Sequence, residues 1–518
     1  GAGPAAAQPD PGGALPDDTV EGQPEEPPAS AEEPSTRAPD DEAPGADRLP
    51  TSIATPQPAP VTEPAAPPEG RDLLTPDVDD ASAAPPPTGR FGLGSYGRID
   101  AATDLSGGTP KRIAVVAHAP RIVEPSYVEL DLYYDFPIKV RGDDVGVRTV
   151  TTLAFDDTLF HYTGEFDARP ALRNLYVEAR TGKITAWVGS RMYRGDDIYL
   201  LDYWPLVDIN TVGAGASWKG DRLTLATHGG VNRLLDRYQY QEREVSDPDF
   251  GAQTIVQLDR QRLTGSLTGR YVISDGTPSI AAQVHVEVQG MPSGERLRND
   301  DTVQALPRDY GVLAGVELSL WRFGSGGDET RNHVNGFLRY ARGIAAFDEL
   351  QPLRGFDDAL ATWPHASELS VGLSGNYEVG RAAVLVGAYA RRFIDGDVNS
   401  NDRDDGWEYV FDVRPMVAVA GPLSVAADLS FQARFPRSLS PTDLLARDPA
   451  AFQIAPMLVY SPLGAGSYTR PQLRLVYRAA HLNDGALDLY PLEDPRRDDP
   501  WVHYLGVQGE WWFNSTTR

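Results

Sequence analysis

The sequence predicts an all-β fold, a transmembrane antiparallel β-barrel behind a disordered N-terminal extension, and three observations predict it. Composition changes abruptly near residue 90 of the 518. Beyond that point apolar and polar side chains alternate with period two, in segments of roughly ten residues bounded by Gly, Asp, Asn and Pro clusters. No stretch approaches the roughly 18 consecutive apolar residues that a spanning helix requires; AAVLVGAYA at 382–390 is among the longest.

Residues 1–90 hold 21 of the 44 prolines, no aromatic residue, and 18 acidic against 4 basic side chains. Such a segment cannot bury enough apolar surface to offset chain entropy, so it reads as a disordered, acidic, partly polyproline-like arm. Its opening, GAGPAAAQPD, lacks the basic and apolar regions of a secretory signal. The expectation is that the chain was never exported or that its signal has already been removed. The net charge is −27, and an acidic balance with no basic arm argues against nucleic acid as a partner. With no cysteine, disulfides and thiolate metal sites are excluded.

The folded body is expected to span 91–513, starting at Phe91, the first aromatic residue, and to leave a short tail at 514–518. Its first strand contains GSYGRID (94–100), where Tyr96, Arg98 and Asp100 share a face and Gly97 between them belongs to the wall facing lipid. In YVELDLYYDF (127–136), Val128, Leu130 and Leu132 oppose Tyr127, Glu129 and Asp131. In QVHVEVQ (283–289), three valines oppose Gln283, His285, Glu287 and Gln289. In QLRLVYR (472–478), Leu473, Leu475 and Tyr477 oppose Gln472, Arg474 and Arg478. The last strand, WVHYLGVQGEWWF (501–513), sets Leu505, Val507, Trp511 and Phe513 against Tyr504, Gln508, Glu510 and Trp512. Soluble sandwiches alternate too, but their strands are shorter and their polar faces need fewer Arg, Glu and Tyr. A barrel with lipid outside and water inside accounts for both faces. Long loops such as IDGDVNSNDRDDG (394–406) alternate with short turns such as WKGDR (218–222), as external loops and periplasmic turns do.

Four blocks resemble the maltoporin and sucrose-porin family of carbohydrate-selective outer-membrane barrels. They are GSYGRID, SYVELDL (126–132), the region from RPALRNLYVEA (169–179) through WVGSRMYRGDDIYLLDYWPLVD (187–208), and GVQGEWWF (506–513), with weaker echoes in WEYVFDVRPM (407–416) and YTRPQLRLVY (468–477). The resemblance implies a bacterial outer-membrane barrel of probably 18 strands, assembled as a homotrimer, whose third external loop folds into the lumen as a constriction. It also implies passive diffusion of a linear, maltodextrin-like oligosaccharide, with no cofactor or metal.

A sugar presents apolar C–H faces and a rim of hydroxyls, so a selective channel needs aromatic platforms and charged hydrogen-bonding groups. By resemblance the platforms fall on Tyr96, Tyr127, Phe337, Tyr460 and Trp512, with Trp204 where the family places the tyrosine that narrows the pore. The polar partners fall on Arg98, Arg121, Glu129, Arg173, Asp197 and Asp202. Arg194 stands one residue before the family's loop arginine, where this chain has Gly195. A platform donated by a neighbouring subunit would come from FHYTGEFDARP (160–170), through Phe166 or Tyr162.

Other readings compete: a general or differently selective porin, for example for a sugar acid, or a barrel serving mainly as an adhesin or docking protein. The RGD string at 194–196 lies in the loop expected inside the pore. The chain is not expected to be an enzyme, since the histidines lack metal-ligand spacing and no nucleophile or phosphate-binding motif occurs. Asp395, Asp397 and Asn399 alternate as in calcium loops, but Ser400 replaces the glycine of the tight turn.

Overall fold

The computed structural model describes residues 89–140, 143–155, 170–232, 239–247, 251–297, 303–324, 332–347, 353, 360–397, 405–437, 446–490 and 494–516. Eighteen strands form one sheet. In chain order they begin with β1 (Arg90–Thr103), β2 (Tyr127–Val140), β3 (Asp143–Phe155), β4 (Ala171–Thr181), β5 (Ile184–Arg194), β6 (Asp208–Lys219) and β7 (Leu223–Asn232). The order resumes with β10 (Arg262–Ser274), β11 (Ser279–Met291), β14 (Asp309–Trp321), β15 (His333–Gly343), β16 (Ser367–Val379) and β17 (Ala382–Ile394). It ends with β18 (Gly406–Ala420), β19 (Leu423–Pro436), β20 (Ala450–Tyr460), β21 (Gln472–Leu482) and β22 (Trp501–Phe513). Every neighbouring pair is antiparallel, and β1 pairs with both β2 and β22, so the sheet closes and no edge is left. Four further strands, which periodicity did not reveal, make loop hairpins: β8 (Gln239–Asp247) with β9 (Gly251–Asp259), and β12 (Gly294–Leu297) with β13 (Val303–Leu306).

The burial pattern is that of a soluble protein turned inside out. On β11, Val284 and Val288 are 52% and 55% exposed on the outer face, while Gln283, His285 and Glu287 are buried in the lumen. Aromatics stand outward near both ends of the wall: Tyr310, Trp407 and Trp501 at one end, Trp218 and Phe513 at the other. These are the positions of interfacial girdles. Short turns gather at the end where β1 begins and β22 ends, and long loops at the other. Gly182, Gly380 and Gly421 open two-residue turns at φ between +52° and +57°, a left-handed backbone that glycine adopts without Cβ strain.

Among the described residues, at least two long loops turn inward. The 195–207 loop between β5 and β6 crosses the lumen, burying Ile198, Leu200, Leu201, Tyr203, Trp204, Leu206 and Val207. Three inward-facing glycines on the opposite wall accept it. A Cβ on Gly315 would lie 2.3 Å from Leu206, one on Gly372 2.9 Å from Ile198, and one on Gly387 2.9 Å from Ile198 and 3.1 Å from Leu200. The second inward segment, 111–123, joins β1 to β2. Its Val115 and Ala117 amides donate to Gln432 and Glu408, and its His118 amide donates to Tyr389. Ile113, Val115 and Val116 join Ile198, Leu201 and Tyr203 in one apolar cluster inside the barrel. Burying each large aliphatic side chain contributes about 1.5–3 kcal/mol, which holds both segments in place.

Candidate functional site

The register of three adjacent strands assembles the site. Tyr96 lies opposite Glu129 on β2 and Trp512 on β22, and Arg98 lies opposite Tyr127 and Glu510. Because all six alternate onto the lumen face, two aromatic steps and their charged partners form one patch. The Tyr96 and Tyr127 rings are 6.2 Å apart. The Arg98 guanidinium sits 5.4 Å from the Tyr127 ring centre and that of Arg173 on β4 5.9 Å, both within cation–π range. Arg173 also donates to the Tyr127 hydroxyl and to Glu129.

The inward segments complete the patch from above. Arg121 donates its backbone N–H to the Leu200 carbonyl at 2.9 Å, which ties the two segments together. Its guanidinium donates to the Tyr96 hydroxyl at 3.0 Å and lies 3.8 Å from Asp202. Asp202 ends a single 3-10 turn, Tyr199–Leu201, in the left-handed region at φ 52°, a conformation that Asp tolerates better than most residues. The turn aims its carboxylate between Arg121 and Arg98, 4.0 Å from the latter. Burial disfavours the Arg121 charge, but Glu124, Tyr96, Asp202 and Glu510 outweigh it and hold its pKa above the ordinary guanidinium value.

Trp204 lies under Arg194, whose guanidinium is 3.6 Å from its ring centre and whose Nε donates to Asp208 at 2.9 Å. Arg194 is also within electrostatic reach of Tyr127 and Arg173. The patch therefore gathers Tyr96, Arg98, Arg121, Tyr127, Glu129, Arg173, Arg194, Asp202, Trp204 and Trp512. Asp197 stands at the other end of the loop beside Asp196, whose carboxyl meets Arg270 at 3.5 Å and Glu317. Burial, then repulsion from Glu317, pushes Asp196 well above the usual carboxylate range.

Two expected platforms are corrected. Tyr460 is 43% exposed on the outer wall, because β20 alternates Met457 and Val459 inward. It ends its strand at the short-turn end, as a girdle aromatic does. Phe337 does face the lumen, but it is buried in the apolar cluster with Ile198 and offers no open face. Phe166, Tyr162 and residues 398–404 of the acidic loop lie outside the described residues.

Sequence reasoning missed four members. Glu510 accepts from Tyr199 at 2.9 Å and from Arg470 at 3.0 Å, and lies 3.4 Å from Arg121. Arg470 in turn covers the Trp512 ring at 4.1 Å. Burial alone would raise the Tyr199 pKa, but Arg470, with Arg474 and Arg121, holds it below the ordinary phenol value. Glu124 bridges Arg98 and Arg121. For Glu510 a signal existed, its shared phase with Trp512; for Tyr199 none did.

The family model described as LamB porin matches residues 93–513. Among curated proteins none matches the chain. Solved structures similar to it include OpdL of Pseudomonas aeruginosa, at 11% identity and TM-score 0.40 over 82% of this chain and 98% of that one. OprD of the same organism aligns at 10% identity and TM-score 0.39, over 82% and 94% of the two chains. The trimer form of OmpT from Vibrio cholerae aligns at 10% and 0.33, over 82% and 100%.

Proposed function

Since the chain belongs to the LamB porin family and forms an outer-membrane porin-type barrel, we propose that it is a sugar-selective channel for passive diffusion of oligosaccharides, a channel rather than an enzyme. The observation that carries this reading is the patch in which Tyr96, Tyr127 and Trp512 follow one another across β2, β1 and β22, flanked by Arg98, Arg173, Glu129 and Asp202. Aromatic faces suit the C–H faces of a sugar ring, and fixed charges suit its hydroxyls. Several modest sites in series favour both entry and release. The proposed domain division is an acidic arm at 1–90, the barrel at 91–513 and a tail at 514–518, and the proposed assembly is a homotrimer in the bacterial outer membrane.

A second reading, a porin for sugar acids, is favoured by one observation: four arginines, Arg98, Arg121, Arg173 and Arg194, converge on the same patch. Liposome swelling with maltodextrins, sucrose, sugar acids and non-sugar solutes of matched size separates the readings. Faster entry of neutral oligosaccharides than of size-matched solutes supports the first; equal rates at equal size defeat it.

A further inference from the structure

Glu124 is absent from the sequence-predicted site, yet its carboxylate occupies the centre of it. Oε1 lies 3.0 Å from Arg98 Nη1, and Oε2 lies 2.8 Å from Arg121 Nη2 while accepting from Arg121 Nε at 2.9 Å. One carboxylate thus fills donor positions on two guanidinium forks, the geometry by which arginines hold an anionic ligand. The bridge is on the lumen surface, since the Arg98 and Glu124 side chains are each 19% exposed. Arg98 Nε donates to the Pro125 carbonyl at 3.0 Å, fixing the backbone that carries Glu124 beside the arginine. The other acids are poorer partners. Asp202 is 3.8–4.0 Å away, and Glu510 is shared with Arg470 and Arg474.

We propose that Glu124 is a built-in counterion that sets the charge selectivity of this channel: it occupies the Arg98 and Arg121 forks where a solute carboxylate would otherwise bind, and so favours neutral solutes over anionic ones. The neutral-sugar half of this statement rests on the sugar-channel reading; the ionic half does not. Without Glu124, the two guanidiniums keep their charge, each loses a carboxylate acceptor, and the partly exposed position that the carboxylate held beside Arg98 opens to the lumen. A solute carboxylate, such as that of a uronic acid, then has a ready-made seat.

The test is the reversal potential of single channels in planar bilayers under a potassium chloride gradient, for wild type and Glu124→Gln. Loss of one charge about 4 Å from the ion path shifts the permeability of each ion by roughly fivefold in a water-like dielectric, in opposite directions, so the chloride-to-potassium ratio rises by up to roughly 25-fold, and the effect shrinks as salt rises. Glucuronate block tightens by about fivefold. Glu124→Asp keeps the wild-type ratio, and Glu124→Ser, a second neutral variant, reproduces the Gln result should Gln not assemble. An unchanged permeability ratio in the neutral variants overturns the proposal. Absence of sugar block in wild type defeats the sugar reading instead and leaves the ionic result to decide the role of Glu124.

Discussion

At the scale of the residue, three lumen aromatics of the patch carry a cation on the ring: Tyr127 under Arg98 and Arg173, Trp204 under Arg194 and Trp512 under Arg470. Trp204 is buried beneath Arg194 at 3.6 Å, so its removal both empties volume in the loop and frees a guanidinium. Trp204→Ala is expected to raise ionic conductance and lower discrimination among sugars; unchanged conductance would mean that the loop is not the constriction. Tyr127→Ala should weaken sugar block by up to roughly tenfold, the scale of a lost aromatic contact. Tyr460→Ala should leave block as it was, because that ring faces away from the lumen. The paired result checks the placement of both rings in one titration. The phase of Tyr460 was readable, since Gln453 and Val459 share a face three steps apart and Tyr460 falls on the other. Resemblance to a family platform pulled the assignment against the local alternation, and the local alternation prevailed.

At the scale of the element, the 195–207 loop is held by an apolar face on glycines and by a carboxyl contact at its start. Asp196 meets Glu317 with Arg270 as the nearby cation, so two acids share one base. Because the Asp196 pKa is raised on folding, its contribution to seating the loop is complete below the ordinary carboxylate range. That contribution is lost as pH rises through the raised value. Open-channel noise and conductance are therefore expected to increase with pH in wild type and to be flat in Asp196→Asn; a pH-dependent Asn variant would assign the titration elsewhere. Gly387→Val should act at every pH, since its side chain would occupy the space of Ile198 and Leu200. Strand phase was legible in the sequence because alternation is local. The destination of a loop was not, because it depends on glycines in β14, β16 and β17, more than a hundred residues away. The resemblance supplied the inward course of 195–207. For 111–123 the available sign was an apolar run, IAVVA, in a connection that would otherwise be solvated.

At the scale of the molecule, the barrel is a closed wall whose inside carries its own small core. Residues from 111–123 and 195–207, with Ala486 and Leu489 beyond β21, form one apolar cluster within the long-loop half. A channel built this way has its aperture set by two segments together. Shortening the first by removing residues 113–119 is expected to enlarge conductance while leaving the heat-modifiable, barrel-specific mobility on gels intact, since the wall hydrogen bonds do not involve it. The short-turn end is also occupied. The tail turns back so that the Thr516 amide donates to Asp131 at 2.7 Å, and the Asn514 side chain donates to the Leu93 carbonyl at 3.3 Å. The two-faced wall was thus written in composition and period, and the strand number followed from the family resemblance, whereas the filling of the lumen is a property of contacts between distant segments.

On the proposed function, the patch of Tyr96, Tyr127 and Trp512 with its flanking charges binds sugar within the conducting path. Planar-bilayer conductance of the purified protein during titration with maltose, maltotriose, maltohexaose and sucrose tests it most directly. Saturable block by at least one of these sugars, weakened in Tyr127→Ala, is the expected result. A conductance that no sugar reduces would contradict it.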